Sequence, residues 1–164
     1  MKLKGKNVLV TGGSRGIGKS ICIALADEGA NIAFTYISQN DAANDTVAEI
    51  RNYGVDALSF QCDVRDRKTL KNIVKDLSNR WGCVDVLVNN AGINKPEDFD
   101  KITDNDWDEV ISVNLKGPFI TTQEVLPLLK KSGSASVINI GSVSGQYGGT
   151  RTAHYAVSKA GLIS

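Results

Sequence analysis

The sequence predicts an α/β fold, a doubly wound parallel sheet formed by one domain over residues 1–164. Three observations carry that reading. Short apolar runs alternate with helical patterns along the chain, the first run feeds directly into a glycine-rich turn that opens a helix, and no linker, repeat or low-complexity stretch breaks the rhythm. Composition agrees, since 164 residues that are 41% hydrophobic and 23% charged suit one domain with a core of its own.

In order, KNVLVTGG (6–13) reads as a buried strand and KSICIALADEGA (19–30) as a helix stopped by Gly29. NIAFTYI (31–37) is the second strand, followed by a helix through AANDTVAEIRNYG (42–54). ALSFQCDV (57–64) is the third, with RKTLKNIVKDLSNRWG (67–82) as its helix. VDVLVNNAG (84–92) and ASVINIGSVSG (135–145) are the fourth and fifth strands, and one long helix, 106–133, lies between them. A last helix carries AHYAVSKAGLIS (153–164).

Bulk properties narrow the function classes. A formal net charge of +1 gives no reason to expect nucleic acid or an anionic membrane as partner. The N-terminal lysines precede only the short run NVLV, too brief for a signal segment or a membrane span. Three cysteines, Cys22, Cys62 and Cys83, form no metal-type cluster; an odd count predicts reduced thiols and a cytoplasmic protein.

In such sheets function sits beyond the carboxyl ends of the strands. The first of those loops is TGGSRGIG, Thr11 to Gly18, directly after strand one. Its Gly12, Gly16 and Gly18 depart from the usual G-x-G-x-x-G spacing. They still supply a tight turn, close backbone approach to a pyrophosphate, and a helix N-terminus whose free N–H groups favour an anion. Farther on, Tyr155 and Lys159 stand four positions apart, so a helix there presents both on one face.

With these stretches in hand, the chain resembles the classical short-chain dehydrogenase/reductases, whose Rossmann-type sheet fits the reading above. The resemblance runs the length of the chain. It implies a cofactor loop at Gly12, Ser14, Arg15, Gly16, Ile17 and Gly18, adenine contacts from Asp63 and Val64 after strand three, and further cofactor contacts from Asn90, Ala91 and Gly92 in NNAG. It also implies a catalytic set of Asn114, Ser142, Tyr155 and Lys159, the last two touching cofactor as well. Within the family the likeness is greatest to the 3-oxoacyl-(acyl-carrier-protein) reductases, in VTGGSRGIG, GSVSG and YAVSKAGLI; relatives acting on sugars, steroids and small ketones share these strings.

The side chains support reduction of a carbonyl. Hydride addition leaves an alkoxide that needs a proton, and Tyr155 is the donor. A phenol of pKa about 10 reloads slowly at neutral pH, so an ammonium one turn away, Lys159, is expected to favour the phenolate. Ser142 offers a hydroxyl to the carbonyl oxygen. In the family, a residue like Asn114 anchors a water in the proton relay and the lysine holds the nicotinamide ribose. Plainer readings stand beside these: Ser142 as a turn cap, Asn114 as a helix kink, Asp63 as the cap of the helix starting near RKTL, and NNAG as turn chemistry. His154 points to another side of the helix and is assigned no catalytic role.

The expected cofactor is NADP(H) in preference to NAD(H). An acid at the end of strand two would bind a ribose 2′-hydroxyl, but Tyr36 stands there and Arg15 lies within reach of a 2′-phosphate. The expected substrate is a small-molecule or acyl-carrier-bound carbonyl, with specificity in Ile93–Asp98 and Ser144–Thr152; Lys130 and Lys131 would suit a carrier protein. A sugar or free ketone is the alternative substrate, and nucleotide binding without turnover the alternative function. A hydrolase is excluded because Gly141-Ser-Val-Ser-Gly145 places Val143 where a nucleophile elbow needs serine. The resemblance further leads us to expect a chain that is the first part of a longer enzyme, a dimer or tetramer, with the family's C-terminal strands missing and strand five an uncovered edge.

Overall fold

A computed structural model describes all residues, 1–164. Five parallel strands form one sheet: β1 (Asn7–Val10), β2 (Asn31–Tyr36), β3 (Ala57–Gln61), β4 (Val86–Asn89) and β5 (Ser136–Asn139), in the order β3-β2-β1-β4-β5. The chain starts in the middle, winds outward through β2 and β3, then returns to place β4 on the other side of β1. The order therefore reverses between β1 and β4, which opens a crevice at their carboxyl ends.

Strand alternation sorts the core into two halves. Leu9, Ala33 and Leu87 face Leu70, Ile73 and Leu77 of α3 (Arg67–Trp81) and Ile120, Val125, Leu128 and Leu129 of α5 (Gly117–Lys131), with α4 (Asp104–Ile111) preceding α5 in the chain. Val8, Val10, Ile32, Phe34 and Val88 face Cys22 and Ala26 of α1 (Gly16–Asp27) and Ala43 and Ile50 of α2 (Asn40–Arg51). Burial on both faces explains why β1 reads as an unbroken apolar run. β5 is an edge strand, and its Val137 and Ile138 remain 44% and 45% exposed.

The structure refines three local expectations. The long helix is continuous but interrupted in its hydrogen bonding: a π-helical turn, Ser112–Lys116, joins α4 to α5 and places Asn114 at full burial. The cap of α3 is Asp66, not Asp63; its Oδ1 accepts from the N–H groups of Lys68 at 3.0 Å and Thr69 at 3.1 Å. After β5 a one-turn helix, α6 (Ser144–Tyr147), precedes α7 (Ala153–Ile163).

The strand ends are fastened by Asp85, only 6% exposed, whose carboxylate accepts from the Asn7 N–H (2.8 Å), the Ser132 hydroxyl (2.7 Å) and the Lys6 ammonium (3.0 Å). Burial pushes this carboxyl pKa up, but those donors together outweigh it and hold it below the ordinary aspartate value.

Candidate active site

The crevice contains a cavity of about 480 Å³. Its floor is the glycine loop, with Gly12, Ser14, Arg15, Gly16, Ile17 and Gly18 all in the wall. Arg15 is extended just ahead of α1, and no side chain caps that helix, so the first N–H groups of α1 are left for a ligand. Gly12 has φ +70, a backbone region that favours glycine. At Gly18 a Cβ would overlap the Gly12 carbonyl oxygen and stand 2.5 Å from Asn90 Nδ2, so the loop is folded as tightly as backbone allows. Overpacking here displaces the loop, so Gly18→Ala is expected to weaken about tenfold or more the binding of any nucleotide diphosphate held at the start of α1; equilibrium titration checks it.

The loop's position comes from its neighbours. Gly13 N–H donates to the Thr35 carbonyl (2.9 Å) and Gly12 N–H to Thr35 Oγ1 (3.3 Å). The buried Thr11 hydroxyl accepts from the N–H groups of both Asn90 and Ala91 at 3.0 Å, while Asn90 Nδ2 donates to the carbonyls of Thr11 (2.9 Å) and Gly12 (3.1 Å). NNAG is thus hydrogen-bonded to the glycine loop, and Asn90, Ala91 and Gly92 line the cavity beside it. Sequence reasoning missed Thr11 and Thr35. A buried threonine at the end of an apolar strand was the available signal.

Tyr36 and Val64 line the wall beyond β2 and β3. Asp63 does not. Its neighbours Cys62 and Val64 do, as alternation along an extended segment dictates. The Asp63 carboxylate accepts from Arg65, at 2.6 Å from Nη2 and 3.0 Å from Nε, and that guanidinium holds its pKa below the ordinary value. Burial first, then the Asp66 and Asp63 carboxylates, push the Cys62 thiol up to about 12, which keeps it protonated and unreactive.

Tyr155 and Lys159 share the far wall, on α7. The Lys159 ammonium lies 5.9 Å from the Tyr155 ring centroid and donates to the Ile140 carbonyl at 2.7 Å. The residue is 4% exposed, and desolvation lowers its pKa from the ordinary lysine value. Asn114 lies behind this wall rather than in it. Its amide brackets Ile93, accepting from the N–H and donating to the carbonyl at 2.8 Å each, and also donates to Ser158 Oγ at 3.0 Å. Every amide group is engaged in positioning, which is how the π turn and the loop after β4 stay together. Ser142 is half-buried and adjoins the lining residue Gly141 without itself lining the cavity; its Oγ accepts from the Ser144 N–H at 3.2 Å, as a turn cap does. His154 is fully buried away from the cavity.

Residues 6–164 match the family model described as short chain dehydrogenase. The chain belongs to the short-chain dehydrogenase family. It is 42% identical over 158 residues to the 3-oxoacyl-(acyl-carrier-protein) reductase FabG of Staphylococcus epidermidis, covering 96% of this chain and 65% of that protein. It is 39% identical over 163 residues to the FabG of Thermotoga maritima, covering 99% and 66%. The chain thus spans about two thirds of the length of the curated relatives it matches. Among solved structures, a xylitol dehydrogenase with bound NAD+ superposes with a TM-score of 0.94 at 29% identity, covering 99% of this chain and 63% of that one. The carveol dehydrogenase of Mycobacterium avium in complex with NAD superposes at 0.92, also at 29% identity, with the same coverage. No helix is long and apolar enough to cross a membrane.

Proposed function

We propose that this short-chain dehydrogenase is an NADPH-dependent reductase of a 3-oxoacyl thioester, with Tyr155 as proton donor. The observation that carries the reading is that Tyr155 and Lys159 stand in the wall of the same cavity whose floor is the glycine loop. A dinucleotide fits the residues present: glycine at 12 and 18 lets the loop fold tightly against Asn90 and Ala91, and the uncapped start of α1 leaves N–H groups in the cavity wall for a pyrophosphate. When bound, the dihydronicotinamide supplies the hydride.

Tyr155 gives its phenolic proton to the oxygen of the reduced carbonyl, and Lys159 supplies positive charge beside it. Lys159 would also hold the ribose next to the nicotinamide, and Ser142, whose Oγ accepts from the Ser144 N–H but keeps its own proton to donate, would orient the carbonyl oxygen. Asn114, with its amide committed to Ile93 and Ser158, acts by fixing the loop after β4 rather than by holding a water. Arg15 neutralises the 2′-phosphate, with Tyr36 where an NAD-specific acid would stand. Arg15→Ala is accordingly expected to reduce the NADPH-over-NADH affinity ratio about tenfold, the worth of one charge-assisted contact. An unchanged ratio would remove Arg15 from specificity.

Identity to the two FabG reductases favours the thioester, while the likeness to xylitol dehydrogenase favours a sugar alcohol as second reading. Assaying acetoacetyl thioesters against free ketones and polyols separates them. NADPH consumption with the thioester is expected; oxidation of polyols alone would select the second reading.

A further inference from the structure

Arg151 is the only non-glycine residue with positive φ, at 58°, and it sits four positions ahead of Tyr155. Such a conformation persists in a long side chain only where surrounding contacts hold it. Those contacts all run to one place, the segment after β4. The Glu97 N–H donates to the Arg151 carbonyl at 2.8 Å; Arg151 Nη2 reaches Glu97 Oε1 at 3.2 Å, and its Nε reaches Asp98 Oδ1 at 2.8 Å. The same segment is held from its other side by Lys95, whose ammonium meets Asp106 at 3.0 Å and also pairs with Glu109, both on α4. Ile93 and Asn94, at the start of this segment, line the same cavity as Gly141 and Tyr155.

Resting on the reductase reading, we infer that Arg151 is a positioning residue: it fastens segment 93–98 to the entry of α7 and so sets the width of the carbonyl entrance at Tyr155. Neither tie is strong alone, because ion pairs this exposed are individually weak. One guanidinium bridging two consecutive carboxylates, beside a backbone hydrogen bond, makes a cooperative fastening between loops that are distant in sequence. Arg151, Glu97 and Asp98 do not themselves line the cavity, so their effect reaches it through Ile93 and Asn94 at the start of the fastened segment.

Arg151→Gly tests this without backbone strain, because glycine accepts positive φ freely. Amide hydrogen exchange should rise about tenfold in both 93–98 and 149–153 while β1 to β4 are unchanged, the loss expected for two exposed ion pairs, since the residue 151 carbonyl remains to accept from the Glu97 N–H. The double variant Glu97→Gln with Asp98→Asn should loosen the same two segments, and Arg151→Lys should recover part of the protection. In turnover, KM for the carbonyl should rise about tenfold with kcat and the NADPH Kd within about twofold, the signature of lost uniform substrate binding. Faster exchange confined to 149–153, or a KM unaffected by loosened loops, would overturn the inference. Failure of the unaltered protein to reduce any carbonyl would instead count against the reductase reading, and exchange alone would then decide whether Arg151 is the fastening.

Discussion

Tyr155→Phe is expected, on the proposed reductase reading, to lower kcat for carbonyl reduction by about 10³-fold, within the range that a positioned general acid contributes. The substitution removes one oxygen and leaves the ring, so the packing of α7 and the 5.9 Å placement of the Lys159 ammonium by the ring are kept. NADPH affinity should fall by no more than about tenfold, the worth of one hydrogen bond from Tyr155 to the nucleotide, because a proton donor acts chiefly on the transition state. The check is paired measurement of kcat and NADPH Kd on the two proteins. A phenylalanine variant with a large share of the original kcat would move the proton transfer to another group.

The largest expected stability effect lies far from that wall. Asp85→Ala is expected to cost about 3 kcal/mol, because it strands the buried Asn7 N–H and unties the end of α5 from the start of β1. For a chain of this length that corresponds to a melting temperature lower by about 6–12 °C. The pH dependence has a definite sign. The folded pKa of Asp85 is held below its unfolded value of about 3.9, so its contribution is complete above that value and fades as pH falls through the folded pKa. Thermal melts from pH 7 down toward pH 3 should therefore show the gap between the parent protein and Asp85→Ala narrowing as the solution becomes acidic. A gap that stays constant would mean that packing, not the ionised carboxylate, is what Asp85 contributes.

Much of this architecture is legible without coordinates because its signals are local. The strands are short apolar runs bounded by turn residues, and TGGSRGIG announces a strand-turn-helix by composition alone. Tyr155 and Lys159 meet because helical spacing brings fourth neighbours together. What resists reading depends on partners distant in sequence. The π turn around Asn114 has no compositional signature, and its amide is committed to Ile93 and Ser158 by tertiary packing. Asp63, the cap expected from the sequence, carries the same side chain as Asp66, and only the path of the chain gives the cap to Asp66 and leaves Asp63 to Arg65. Arg151 falls in the stretch Ser144–Thr152, and its carboxylate partners Glu97 and Asp98 are more than fifty positions away, so only the folded chain pairs them.

If the glycine loop and the Tyr155–Lys159 wall serve one ligand, as proposed, equilibrium titration will reveal it. NADPH and the same nucleotide lacking its nicotinamide ring and the attached ribose would each be titrated into the unaltered protein, Gly18→Ala and Lys159→Met. Gly18→Ala should weaken both ligands, whereas Lys159→Met should weaken NADPH by about tenfold, the worth of a charge-assisted contact, and leave the shortened nucleotide unaffected. Equal affinity of Lys159→Met and the unaltered protein for NADPH would contradict the proposal, because the two walls would then not belong to one site.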